Sequence, residues 1–177
     1  MAMRLIISVL LALSFSVPGA LAAQAGPDLQ YHRIASLNPL ALVVLGLVSA
    51  EYEQTLGTDT SWGASLEYFD FRDRTYFSAD AKVRYYIQGR SLDGLSVGAL
   101  VGFTRVDRDS DPDAGERSAR SGSAVGVGFV AENQWLMGSD ERLALTVGIG
   151  GKRLFFLRDV GAQSALPLVR LSVGWAF

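Results

Sequence analysis

Nine ionisable residues fall on one face when the chain is read with a period of two: Glu51, Glu53, Glu67, Asp80 and Glu132, with Lys82, Arg84, Lys152 and Arg170. Charges gathered this densely could relay protons or ions, or hold paired carboxylates for acid–base work. Short turns near Gly57 and Asp73 would set Glu67 beside Asp80 and diagonal to Lys82, within reach of cross-strand pairing. The rival reading is structural, an ion-pair network filling a space too narrow for water. Which of the two applies depends on the width of that space, and so on the fold.

Other chemistry is sparse. With no cysteine there are no disulfides, thiolate metal sites or cysteine nucleophiles. A single histidine, His32, rules out a His-rich metal site and leaves one imidazole for a catalytic triad. His32 could serve a serine hydrolase of the envelope, but no GxSxG elbow accompanies it and no serine is assigned to it by spacing. A lone surface or interfacial histidine is the plainer reading.

Asp107, Asp109, Asp111 and Asp113 alternate as calcium ligands might, yet an EF-hand counted from Asp109 would need Gly and Glu where Ala114 and Arg120 stand. Interspersed arginines mark a solvated mixed-charge loop instead. Gly148-Ile-Gly-Gly-Lys152 lacks the upstream glycine of a phosphate loop, with Thr146 in that place and Arg153 where Ser or Thr is required. No metal and no cofactor are expected. The 16 Lys and Arg against 18 Asp and Glu leave a net charge of −2, too balanced for a nucleic-acid partner.

The elements that must carry these residues alternate. Leu95, Val97, Ala99, Val101 and Phe103 interleave with Ser96, Gly98, Leu100, Gly102 and Thr104; segments around 125–132 and 143–150 repeat the pattern. Trp62 to Tyr68, Phe77 to Ile87, Leu42 to Tyr52 and Val169 to Phe177 do the same, for seven clear strands. The face opposite the oily one is crowded with glycine, alanine, serine and charges of both signs. A soluble sandwich would solvate that face with long polar side chains; glycine repeated there points to a narrow interior. Apolar outside and polar inside is the pattern of a transmembrane barrel.

Seven strands cannot close an antiparallel up-and-down barrel, so an eighth is expected at Leu29 to Leu37, joined by an Asn38-Pro39 turn to a strand over about 42–55. The fold class is therefore all-β, an eight-stranded antiparallel up-and-down transmembrane β-barrel. Eight strands leave an interior only wide enough for side chains. On that ground the network of Glu51, Glu67, Asp80, Lys82, Arg84, Glu132, Lys152 and Arg170 is expected to plug the lumen. The long polar connection from Asp107 to Ser121 belongs on the extracellular side. With that orientation Tyr52, Trp62, Tyr85, Tyr86, Trp135, Trp175 and Phe177 gather at the periplasmic ends. Phe69, Phe71, Tyr76, Phe103, Phe155 and Phe156 gather at the other, making two aromatic girdles.

Residues 1–25 read as a secretory signal: Arg4, an apolar run from Leu5 to Phe15, Pro18-Gly19, then Ala-Leu-Ala and Ala-Gln-Ala as cleavage sites. The run is well short of the ~20 residues a spanning helix needs. Residues 26–177 then form one barrel domain.

The whole mature segment, and above all the alternating C-terminal strand LVRLSVGWAF ending in Phe177, resembles the small outer-membrane β-barrel proteins of Gram-negative bacteria, the OmpA/OmpX-like group. The resemblance implies an outer-membrane location and lipids as surroundings. It also implies recognition by the barrel-assembly machinery through Val173, Trp175 and Phe177, and help from periplasmic chaperones; separately, a monomer is expected. Leu45, Leu47 and Leu100, on the nominal interior face, depart from the pattern. The expected role is structural or interactive and not enzymatic. The alternatives are a lipid-modifying enzyme, a narrow pore and a soluble lipocalin-like periplasmic binder.

Overall fold

The computed structural model describes residues 30–71, 74–88, 90–108, 120–155 and 165–177. The signal assigned to residues 1–25 lies outside them. The strands are β1 (Arg33–Leu37), β2 (Val48–Thr55), β3 (Thr60–Phe71), β4 (Arg74–Tyr86), β5 (Gly94–Arg108), β6 (Arg120–Met137), β7 (Leu143–Phe155) and β8 (Ala165–Ala176). Each pairs antiparallel with its neighbour in chain order, and β1 pairs with β8. The result is a closed eight-stranded barrel. The final residue is tied in: the Phe177 amide donates to the Arg33 carbonyl at 2.9 Å and the Arg33 amide donates back to the Phe177 carbonyl at 3.1 Å.

One strand is shorter than the alternation suggests. Residues Pro39–Leu45 form a helix, α1, so β2 begins at Val48 and not near Leu42. Asn38 caps it, its side chain accepting from the Ala41 amide at 2.9 Å, and Pro39 occupies the first helical turn, where a missing N–H costs nothing. Gly46 ends it in the left-handed region at φ 67. Local capping chemistry thus overrides a weak period-two pattern. It also leaves residues 45 and 47 outside any strand, so the alternation assigns them no lumen face, whereas Leu100 does point inward and is buried.

The two faces sort as their residue types demand. Outward positions are exposed and apolar, among them Phe129 at 67%, Ile149 at 67% and Val169 at 73%. Inward positions include Arg84, Lys152, Glu132, Glu53 and Thr104, all buried. The strand ends at Arg108, Arg120, Phe155 and Ala165 lie at the rim opposite the paired ends Arg33 and Phe177. We call these the upper and lower rims.

Glycine serves the interior by its lack of a side chain. A Cβ on Gly102 would lie 1.8 Å from Asp80 Oδ1 and 2.4 Å from the Ala79 carbonyl oxygen, and the second contact is backbone that cannot swing away. Gly102→Ala is expected to destabilise the barrel by about 1–3 kcal/mol through overpacking, read from the urea midpoint in lipid vesicles.

Candidate functional site: the charged lumen

The lumen is filled in layers. At the lower rim Tyr31, Ile34, Leu92, Ala144 and Ala176 form an apolar floor. Leu92 enters it from the β4–β5 connection with φ 68, a left-handed conformation that is unfavourable for a γ-branched side chain. Its carbonyl accepts from Gln134 Nε2 at 2.7 Å, and Gln134 Oε1 accepts from Thr146 Oγ1 at 2.7 Å. Strain at Leu92 is thus offset by full burial of the side chain and a satisfied carbonyl.

Above the floor, Glu53 accepts from Tyr86 Oη at 2.7 Å and from Ser61 Oγ. Arg84 occupies the centre. Its guanidinium meets three carboxylates: Glu51, Glu53 at 2.5 Å and Glu132 at 2.6 Å. The contacts to Glu53 and Glu132 are close ion pairs whose angles fall outside hydrogen-bond geometry, while the one to Glu51 is a hydrogen bond. Glu51 also pairs with Lys82 and with Arg170 at 2.5 Å, and Arg170 reaches Glu132 at 3.3 Å.

Toward the upper rim stands a second, smaller cluster. Lys152 Nζ donates to Asp80 Oδ1 at 2.5 Å, Thr104 Oγ1 at 2.9 Å and Ser78 Oγ at 3.0 Å. Three acceptors match the three protons of an ammonium, so its hydrogen-bonding capacity is used up. Leu100, Val130 and Leu154 are buried alongside.

Seven of the eight residues expected in the network make ion pairs: Glu51, Asp80, Lys82, Arg84, Glu132, Lys152 and Arg170. Glu53, on the same face but outside that group of eight, joins them through Arg84. Glu67 does not. The register expected for β3 and β4 is displaced by two residues: Glu67 faces Ser78, Ser65 faces Asp80 and Gly63 faces Lys82. Phe71 and Arg74 are paired, so the hairpin turns one position earlier than a turn centred after Asp73. A shift of two keeps every side chain on its face but changes its neighbour. Lys82 therefore meets Glu51 across β3 instead of Glu67.

Outside, Tyr52 packs edge-on against Trp62 with ring centroids 5.9 Å apart. Tyr85, Trp135, Phe155 and Trp175 are exposed on the outer surface, as are Val173 and Phe177. Phe156 lies outside the described residues. Tyr86, grouped above with the lower girdle, points into the lumen and is wholly buried, because it follows Lys82 and Arg84 in the alternation. His32 is exposed, and no described side chain bonds its imidazole. Asp107 pairs with Arg105 at 2.9 Å; Asp109, Asp111 and Asp113 lie outside the described residues. Among the described residues no group of His, Cys, Asp and Glu is arranged to hold a metal ion.

No protein-family model matches this sequence, and no curated protein matches it. Among solved structures, the N-terminal β-barrel domain of Pseudomonas aeruginosa OprF is similar, with a TM-score of 0.48 and 13% identity over 82% of this chain and 96% of that one. The closed barrel stands on the strand pairing itself.

Proposed function

We propose that the chain is an outer-membrane β-barrel of a Gram-negative bacterium with a structural or interaction role, its lumen plugged by side chains and its upper-rim connections offered to partners outside the cell. The observation that carries this reading is the inversion of the two faces. Valine, isoleucine, leucine and phenylalanine cover the outside of a closed sheet whose interior holds ion pairs. In hydrocarbon backbone groups must find partners within the protein, and the antiparallel pairing around the barrel supplies most of them. A soluble lipocalin-like binder would need the opposite arrangement, with the apolar face around a dry calyx.

The lumen in this reading is a brace. Its charges, all but Glu67, are paired with one another and fix strand register, and Leu92 with the lower floor closes one end. Val173, Trp175 and Phe177 face outward at the lower rim, where the assembly machinery could read them. Fractionation followed by gel mobility with and without boiling tests location and closure together. The expected result is an outer-membrane protein whose unboiled form migrates as a compact band; a protein released without detergent would contradict it. Reconstituted in planar bilayers, the barrel is expected to show no steady conductance, and a reproducible unit conductance would refute the plug.

A further inference from the structure

The barrel wall is incomplete as a sheet. Among the described residues β8 is paired on both edges only from Val173 to Trp175; from Ala165 to Ser172 its second edge has no described strand partner, and α1 packs beside it instead. The helix carries no charge and exposes Leu40, Leu42, Val43 and Val44. A helix satisfies its own backbone, so it can complete an apolar wall where a strand is missing. Pro167 sits in the singly paired stretch, as prolines do on sheet edges.

Behind this seam lies a cavity of about 60 Å³. It is lined from one side by Leu37 and Asn38, from the other by Leu168 and Val169, and inside by charged groups of the lumen network, in which Glu51, Glu67, Asp80 and Glu132 outnumber Lys82 and Arg170. Val169 is 73% exposed on the outer surface and yet borders the cavity, so the space reaches the barrel wall at this point. Within the network below the upper rim, the five carboxylates Glu51, Glu53, Glu67, Asp80 and Glu132 outnumber the four cations Lys82, Arg84, Lys152 and Arg170 by one. Glu51, Glu53, Glu132 and Asp80 each hold a cation, whereas Glu67 has neither an ion pair nor a hydrogen bond among the described residues.

An apolar rim leading to a single unmatched carboxylate selects a particular chemistry. An anion would have to displace Glu51 or Glu132 from Arg170 and would meet Glu67. A hydrated inorganic cation has no use for the greasy rim. The volume suits a head group the size of a few water molecules. We propose that the seam between α1 and β8 is a lateral entrance for a membrane-dissolved, single-chain cationic amphiphile, its alkyl chain against the seam and its ammonium on Glu67. This rests on the membrane reading above.

The test uses the full barrel in lipid nanodiscs and a long-chain primary alkylammonium carrying a diazirine next to its head group, with crosslinks mapped by mass spectrometry. Insertion is scored first by mobility without boiling; a chain that does not insert overturns the membrane reading and the entrance with it. In an inserted barrel, crosslinks are expected to concentrate on the peptides holding Leu37, Glu67 and Leu168. Unlabelled alkylammonium should compete and an alkyl sulfate of equal length should not. Glu67→Gln is expected to weaken the competition about tenfold, the loss of one charge-assisted contact. Crosslinks spread evenly around the apolar belt, equal competition by the sulfate, or an unchanged midpoint in an inserted Glu67→Gln barrel would each overturn the entrance while leaving the membrane reading standing. Should Glu67→Gln not insert, the competition on the native chain decides.

Discussion

Arg84→Met is expected to cost the barrel about 3–5 kcal/mol, the largest loss from any single lumen residue. The guanidinium is almost inaccessible and is the common counterion of Glu51, Glu53 and Glu132. Methionine replaces the aliphatic stem but brings no charge, so three carboxylates are left in a closed space with only Lys82 and Arg170 nearby, and Glu53 keeps only Tyr86 and Ser61 as donors. Leaving a buried charge unpaired costs far more than the intact pair contributes, because desolvation is no longer offset. Arg84→Lys keeps the charge but not the fork that reaches three acceptors, and should fall between the two. Urea unfolding in lipid vesicles measures all three chains. If the lumen were instead a watery channel, solvent would screen the carboxylates and Arg84→Met would lie within about 1 kcal/mol of the native chain.

The second large effect lies on the opposite face. Ile149, at the middle of β7, is 67% exposed and flanked across the sheet by Ala131 and Val169, neither of which can pair with a charge. Ile149→Arg is expected to destabilise the barrel by about 2–4 kcal/mol in a bilayer, the cost of arginine near the midplane. On a water-facing surface the same change would fall within about 0.5 kcal/mol. Arg153, four residues on, is already tolerated outside, near the upper rim, with its guanidinium 5.7 Å from the Phe155 ring centre. Depth therefore separates the two sites, and Arg at residue 153 is the internal control.

Much of this was legible because a strand's period of two is strict. Val173, Trp175 and Phe177 could not be outward without Ser172, Gly174 and Ala176 being inward, and seven strands of that kind demanded an eighth for closure. The face of each charge follows from the same rule, which is why seven members of the network meet. Their partners do not follow from it. Whether Lys82 meets Glu67 or Glu51 depends on where the β3–β4 hairpin turns, and one position in the turn shifts the pairing by two residues without changing any face. Asn38-Pro39 and Gly46 were the signals for α1: a capping side chain and a proline ahead of an apolar run, and a glycine after it. An apolar run of that length fits strand and helix alike, and alternation alone does not choose between them. Tyr86 illustrates the remaining ambiguity, since an aromatic ring near a strand end serves a girdle or a lumen according to parity alone.

The absence of cysteine makes the central question directly measurable, because one engineered thiol at a time can carry a spin label in the barrel reconstituted into lipid vesicles. Scanned from Ala144 to Gly150 along β7, collisions with oxygen dissolved in the bilayer should peak at Leu145, Val147 and Ile149 and fall at Thr146 and Gly148. A water-soluble nickel chelate should reach none of those three. Nickel relaxation that peaks at Leu145, Val147 and Ile149 would place the apolar face in water and contradict the account.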